Sequence, residues 1–312
     1  MPDAERATLT VEGVEVACHV DGSTVTDRRL SPRPFLHPVR TLGGTEVTDC
    51  MPDDHRWHLG LSVALQDVGG VNFWGGRTYV RQKGYVWRDD HGVQEHHAWQ
   101  VLEPDSCTEE VGWYAPDGRC LLAEERSFRA APCEVAGEPA WMLSVDFGLR
   151  NVSGAPLELG SPATNGRAGA GYGGLFWRLP RSASPPRVFT AEATGETAVH
   201  GSVTPWIAWT SELVSLSATY RAERHQNEGP AGSGTFTVAL AAWPAQTSGR
   251  TDPWFVRVEG YPGMCSALAF AQPALLAADG VLARHFDALI ADVALDPTLV
   301  AAWVDRLAGS RR

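Results

Sequence analysis

The chain has 312 residues, 44% hydrophobic and 20% charged, the balance of a water-soluble globular protein long enough to bury a large core. Its 37 acidic against 26 basic residues leave a formal charge of −11, which argues against the clustered Lys and Arg that nucleic-acid binding requires. No run approaches the roughly 18 apolar residues of a membrane helix, and the opening MPDAERATLT lacks the basic start and apolar stretch of a signal peptide, so a cytoplasmic protein is expected.

From the N-terminus onward the prevailing period is two. LTVEGVEVA (9–17) opens with apolar–polar alternation and predicts a strand. WRDDHGVQEHHAW (87–99) predicts a hairpin turning at His91–Gly92, and PDGR (116–119) a turn between strands. In WMLSVDFGLRNV (141–152), Leu143, Val145, Phe147 and Leu149 take one face, and Ser144, Asp146, Gly148 and Arg150 the other. TNGRAGAGYGG (164–174), RSASPP (181–186) and HQNEGPAGSG (225–234) predict loops. LVSLSATY (213–220), TFTVALAAW (235–243) and WFVRVEGY (254–261) predict further strands. GVLARHFDALIADV (280–293) is open to helix or strand, and the alternation of His285 and Asp287 with Phe286, Ala288 and Ile290 favours strand. One helix is expected over 296–308: Asp296 is placed to cap it, Pro297 suits its first position, and Leu299, Val300, Trp303, Val304 and Leu307 form an apolar stripe. Gly and Pro, 32 and 21 of them, punctuate the whole length without marking a linker. The expectation is an all-β fold, a large antiparallel β-sandwich with a short C-terminal helix, spanning 1–312 as one domain. The six cysteines, Cys18, Cys50, Cys107, Cys120, Cys133 and Cys265, form no C-x-x-C pair and are expected to be free thiols.

Chemistry concentrates early. Six of the ten histidines lie between His37 and His97, and MPDDHRWHLG (51–60) packs Asp53, Asp54, His55, Trp57 and His58 together. In a helical turn, His55 and His58 at i and i+3 would share one side, as metal ligands often do; in an extended strand they would point apart. Asp53 or Asp54 could add a carboxylate or orient a histidine. His37, His55, His58 and His97 could supply ligands suited to a divalent Zn, Mn or Fe; equally, these histidines could bond to loop backbone or touch substrate. In GVNFWGGRTYVRQKG (70–84), Asn72 and Arg77 could fork onto hydroxyls or a carboxylate beside the face of Trp74, or the segment could be a hairpin with a core tryptophan. With a turn at His91–Gly92, Glu95, His97 and Trp99 would share a face and offer a general base beside an aromatic platform, with His96 opposite. For His91 and His96 a solvated hairpin tip is the plainer alternative. The arginines near the N-terminus suit anchoring of a carboxylate or sugar hydroxyl. Tyr172 would ride on a flexible loop at a pocket rim. The 12 tryptophans suit packing, and some could stack on sugar rings.

RPFLHPV (33–39), VTDCMPDDHRWHLGL (47–61), VNFWGG (71–76), GYGGLFWRLP (171–180) and DPWFVRVEGYPG (252–263) together resemble the bacterial family historically labelled "methane oxygenase PmoA". The resemblance covers roughly residues 30–295. It implies a galactose-mutarotase-like supersandwich and an association with sugar catabolism, and it marks Arg33, His37, Asp54, His55, His58, Asn72 and Trp74. Many relatives carry a histidine where this chain has Trp57, and the "HPxNPRH" pattern of some is replaced here by TPWIAWTSE (204–212). The expected activity is acid/base chemistry on a sugar, glycoside or keto-sugar, as a lyase, hydrolase or epimerase. His55, His58, Glu95 or His97 would transfer the proton, and Arg33, Asn72 and Arg77 would bind hydroxyls or stabilise an enolate-like charge. A non-catalytic sugar-binding module and a metal-dependent oxygenase or tailoring enzyme are the alternatives.

Overall fold

Side chains alternate between two environments along nearly every strand, and the two largest sheets are built on that alternation. The structure, a computed structural model, describes residues 7–182, 184–213, 234–244 and 251–311. The first sheet has seven strands in the spatial order β1 (Thr8–Val11), β2 (Val14–Val20), β3 (Phe35–Val39), β4 (Leu61–Ala64), β13 (Gly174–Arg178), β18 (Gly263–Ala267) and β17 (Trp254–Arg257). The second has eight, in the order β14 (Arg187–Phe189), β15 (Trp206–Leu213), β16 (Gly234–Trp243), β20 (Val281–Ala291), β11 (Glu138–Asn151), β10 (Cys120–Val135), β9 (Ser106–Tyr114) and β8 (Val93–Glu103). A three-stranded sheet joins β19 (Ala274–Leu276), β12 (Leu157–Gly160) and β5 (Asp67–Val68), and β6 (Thr78–Val80) pairs with β7 (Gly84–Val86). Every pairing between these strands is antiparallel. A single turn of helix, α1 (Glu196–Val199), and a C-terminal helix, α2 (Pro297–Ser310), complete the elements introduced here.

The two large sheets bury one shared core, the antiparallel β-sandwich that the period-two runs predict. Leu61, Val63, Leu175, Trp177, Trp254, Val256 and Met264 of the first sheet join Val111, Phe128, Leu143, Val145, Phe147, Val238, Phe286 and Ile290 of the second in a single cluster. The alternating residues face outward. On the second sheet these are Ala208, Ala239, Ala241, Leu289 and Ala291, covered by Val300, Trp303 and Val304 of α2. Asp296 caps that helix by accepting from Thr298 N–H (2.8 Å) and Leu299 N–H (3.0 Å). On the first sheet the outward residues are Ala64, Phe176, Phe255, Cys265 and Ala267, covered by loops instead of a helix.

Two local expectations change. The run 9–17 is a hairpin, because Glu12 (φ 50°) and Gly13 (φ 84°) both adopt the left-handed conformation of a tight turn between β1 and β2. The segment 87–99 is not a hairpin at His91–Gly92; His91 bridges Asn72 in parallel, and β8 pairs onward with β9. PDGR does form the β9–β10 turn, and 281–291 is a strand. Of the run 213–220 only Leu213, and of the loop 225–234 only Gly234, lie within the described residues.

One end of the core is ionic. Arg126, fully buried on the inward face of β10, donates from Nε and Nη2 to Glu124 at 2.7 Å each, and from Nη1 to the Pro34 carbonyl at 3.1 Å. Glu109, equally buried on β9, lies 3.6 Å from Arg126, with His96 Nδ1 at 2.9 Å and His19 Nε2 at 3.1 Å from one oxygen. His19 belongs to β2 of the first sheet, so this cluster ties the sheets together through charge that burial alone would reject. Burial works to raise the Glu109 carboxyl, but His19, His96 and Arg126 overcome it and bring it down to about 2. A carboxylate depressed in the folded state contributes stability above its unfolded value near 4.5, lost as pH falls towards 2. Glu109→Gln is therefore expected to cost about 3–5 kcal/mol at neutral pH. Urea unfolding at stepped pH should show the variant losing less stability than wild type between pH 4.5 and 2; parallel curves would disprove the assignment.

Candidate active site on the outer face of the first sheet

The loop 51–58 closes on itself. Cys50 and Leu59 form a bridge, Met51 N–H donates to the His58 carbonyl (2.8 Å), and Gly60 N–H donates to Asp49 (3.1 Å). Met51 pays for the entry with a left-handed backbone (φ 52°), an uncommon state for a side-chain-bearing residue. Gly60 sits at φ 43°, and a Cβ there would lie 2.1 Å from the Leu36 carbonyl oxygen, so only glycine fits. Inside the loop, His55 N–H donates to Pro52 and His58 N–H to His55, both at 2.9 Å. This i to i+3 turning puts the two imidazoles on one side, their rings stacked 4.8 Å apart at 29°.

A second loop seats the first. Asn72 Oδ1 accepts from Trp74 N–H and Gly75 N–H (2.9 Å each), and its Nδ2 donates to Thr78 Oγ1 (3.0 Å), folding VNFWGG tightly. Gly75 and Gly76 then present bare backbone to Trp57: a Cβ on Gly76 would lie 2.6 Å from the indole. Arg33, fully buried, joins the parts by donating to Trp57 O (2.9 Å), Ser31 O (3.1 Å), Trp74 O (3.2 Å) and Ser62 Oγ (3.1 Å). Arg33 and Asn72 thus hold the walls rather than facing open space.

The outward side chains of β13, β17 and β18 supply the floor. His58 packs against Phe176 (5.0 Å), Trp74 (5.7 Å) and Tyr261 (4.7 Å), and Trp74 against Tyr172 (4.6 Å). Tyr172 is buried, its hydroxyl 3.0 Å from that of Tyr85. His55 is 27% exposed, lies between Trp57 (5.2 Å) and Tyr261 (4.8 Å), and has Asp54 Oδ2 at 3.2 Å from Nδ1. That distance is an ion-pair contact without hydrogen-bond alignment. Asp54 in turn accepts from Arg181 (2.7 Å).

The stacked histidines are not equivalent. His58 is 1% exposed, with Arg178 Nη1 at 3.5 Å from Nδ1; burial, then Arg178, His55 and Arg33, hold it well below the usual imidazole value, so it stays neutral. His55 is also lowered, first by burial, while Asp54 opposes the shift. Asp54 itself is lowered: burial works to raise it, and His55 and Arg181 prevail.

His55, His58, Asp54, Trp74 and Tyr172 therefore gather, with Arg33 and Asn72 behind them. Other expected residues stand apart. Glu95 and His97 are exposed on β8, His97 Nε2 meeting Tyr114 Oη at 3.0 Å. Trp99 does not share their face: the register shift between His96 and Ala98 turns it inward, where it packs on His19 (4.7 Å) and His96 (4.5 Å). Arg77 is exposed and lies over Trp87 (5.8 Å). His91 is no solvated tip; it is buried, with Nε2 2.6 Å from Gly76 O.

The metal reading of His37, His55 and His58 requires a ligand set that does not assemble. His37 Nδ1 is 2.9 Å from Thr48 Oγ1, His58 Nδ1 faces the Arg178 cation, and stacked rings direct their in-plane lone pairs past one another. Among the described residues, no group of three or more His, Cys, Asp or Glu is placed to hold a metal ion. None of the described cysteines is in a disulfide. No helix among the described residues is long and apolar enough to cross a membrane. A separate concavity of about 370 Å³, lined by Val203, Trp243 and Val304 among others, lies against α2 and shares no residue with this cluster.

Arg178, Tyr261, Phe176 and Asp49 belong to the site without having been singled out by type. Phe176, Arg178 and Tyr261 lie in GYGGLFWRLP and DPWFVRVEGYPG, where strand periodicity alone marks them as alternating packing positions.

A fold of this kind, with a loop-covered aromatic and imidazole cluster on one sheet face, defines a β-sandwich protein with a candidate small-molecule site. The chain belongs to a family of unknown function, DUF6807, whose model matches residues 6–305. A search of curated proteins finds no match to it.

The seating of Trp57 on bare backbone is testable. Gly76→Ala is expected to destabilise the protein by about 1–3 kcal/mol, through the left-handed φ and the collision with the indole. Denaturant unfolding checks the magnitude; an unchanged midpoint would mean that the loops separate at no cost.

Proposed function

We propose that this chain is a carbohydrate-active enzyme that moves a proton on a sugar, glycoside or keto-sugar, in a lyase, hydrolase or epimerase reaction. The observation that carries the proposal is His55. It is partly exposed, kept neutral at physiological pH by its surroundings, backed on Nδ1 by Asp54, and flanked by Trp57 and Tyr261. A neutral, partly exposed imidazole with a carboxylate beside it suits a general base. Aromatic faces on either side suit the C–H faces of a sugar ring. His58, neutral and stacked beneath, contributes a donor or acceptor that does not titrate near pH 7. The resemblance to the PmoA-labelled family supports the same substrate class through its association with sugar catabolism.

The test is proton exchange in D2O, followed by NMR, across aldoses, glycosides and their keto derivatives. Wild type should wash deuterium into, or transform, at least one of them. His55→Ala should lower that rate roughly 10²- to 10⁴-fold, the usual contribution of a positioned base. Because only unprotonated His55 can accept the proton, activity should fall on the acid side with an apparent pKa below 6.5. Asp54 raises the His55 value, so Asp54→Asn should move that acid limb to still lower pH. Binding without turnover in wild type would make the site a sugar-binding module; equal turnover by His55→Ala would remove the base assignment.

A further inference from the structure

We infer that the ligand of this site carries a carboxylate, received by the buried guanidinium of Arg178; the inference rests on the carbohydrate reading above and narrows it to acidic sugars. The first support is an unmatched donor. Arg178 ends β13 on the outward face and is fully buried, yet its Nε and Nη2 have no hydrogen-bond partner. Two of its polar side-chain contacts are long: an ion pair with Asp49 Oδ2 at 3.6 Å from Nη2, and His58 Nδ1 at 3.5 Å from Nη1. A guanidinium offers five donors in a rigid fork, and buried donors without acceptors destabilise the unliganded protein. A carboxylate matches that fork with two oxygens.

The second support is a count of charge. Arg33 is fully buried, and among the described residues no carboxylate lies within 4.0 Å of it. Its donors go to carbonyls and the Ser62 hydroxyl, which solvate the charge without neutralising it. Arg178 and Arg181 face Asp49 and Asp54, at 3.6 and 2.7 Å. Arg33, Arg178 and Arg181 against Asp49 and Asp54 leave one positive charge in excess, in a chain whose formal charge is −11. Aromatic rings surround that excess: Tyr261 lies over Arg178 at 5.8 Å, and Phe176 and Trp74 pack on His58. In such a medium an uncompensated cation is costly and attracts an anion strongly. A monoanionic ligand balances the site, its carboxylate admitted beneath the Tyr261 ring and the sugar ring lying towards Trp57 and His55.

Isothermal titration calorimetry tests this with D-glucuronate, D-galacturonate and D-gluconate, with D-glucose and D-galactose as uncharged counterparts, and with benzoate as a carboxylate lacking hydroxyls. At least one acid sugar is expected to bind ten times or more tightly than its neutral counterpart, with affinity falling as salt is added. Arg178→Gln should weaken the acid roughly 10- to 100-fold, the value of a charge-assisted hydrogen bond, and leave the neutral sugar unchanged. Should Arg178→Gln fail to fold, Arg181→Gln, on a side chain 63% exposed, should weaken the acid by about threefold and leave the neutral sugar unchanged. Neutral sugars binding as tightly as the acids, or no carboxylate binding at all, would overturn the inference. In the first of those cases the carbohydrate reading survives. Benzoate binding alone would uphold the charge assignment and sink the carbohydrate reading instead.

Discussion

One guanidinium organises the candidate site. Arg33 reaches the backbone of the turn at Ser31, of the histidine loop at Trp57 and of the second loop at Trp74, and it anchors all three to Ser62 of β4. Each of those carbonyls would otherwise be a buried acceptor in need of a donor. An arginine is suited to this role because its planar fork meets several acceptors at once without being able to lose its charge. The cost is a buried cation, and the site is shaped by where that charge is left. It helps hold His58 neutral.

The location of the site follows from the pleat. A strand sends successive side chains to opposite faces, so each strand of the first sheet serves two layers. Leu175 and Trp177 fill the core between the sheets, while Phe176 and Arg178 emerge on the far side; Trp254 and Val256 face in, Phe255 faces out. The second sheet spends its outer face on α2, where small alanines receive Trp303. The first sheet has loops over its outer face, and loops can carry histidines and acids where a packed helix would bring an apolar stripe.

The two ionic clusters share a logic but differ in consequence. Around Glu109 and Arg126 opposite charges lie within 3.6 Å of one another and tie β2 to β8, β9 and β10, which is a structural use. Around Arg178 the Nε and Nη2 donors have no hydrogen-bond acceptor, whereas Arg33 gives its donors to carbonyls and the Ser62 hydroxyl. The stacked His55 and His58 differ in exposure and in neighbours: His55 is 27% exposed beside Asp54, whereas His58 is 1% exposed beside Arg178 and is held neutral.

Much of this was legible in residue order. Period-two runs announced the sandwich, the Asp296-Pro297 pair announced the only long helix described, and the i, i+3 spacing of His55 and His58 allowed the shared side that the turn creates. The glycines of VNFWGG both turn the chain at positive φ and let Trp57 approach their bare backbone. What the order of residues could not express is register and burial. A single shifted residue in β8 separates His97 from Trp99, and no local pattern marks such a bulge. Arg33 and Asn72 have the donors of substrate-binding groups, and only the packing of three segments around them turns those donors inward. Arg178 and Tyr261 lie 83 residues apart in the chain and meet only because β13 pairs with β18, across a sheet whose strand order departs from sequence order. Sequence alone determined which residues could do chemistry and which elements would form. Tertiary structure decided which of them share a space and which are shut from water, because proximity and dielectric belong to the packed whole and to no single segment.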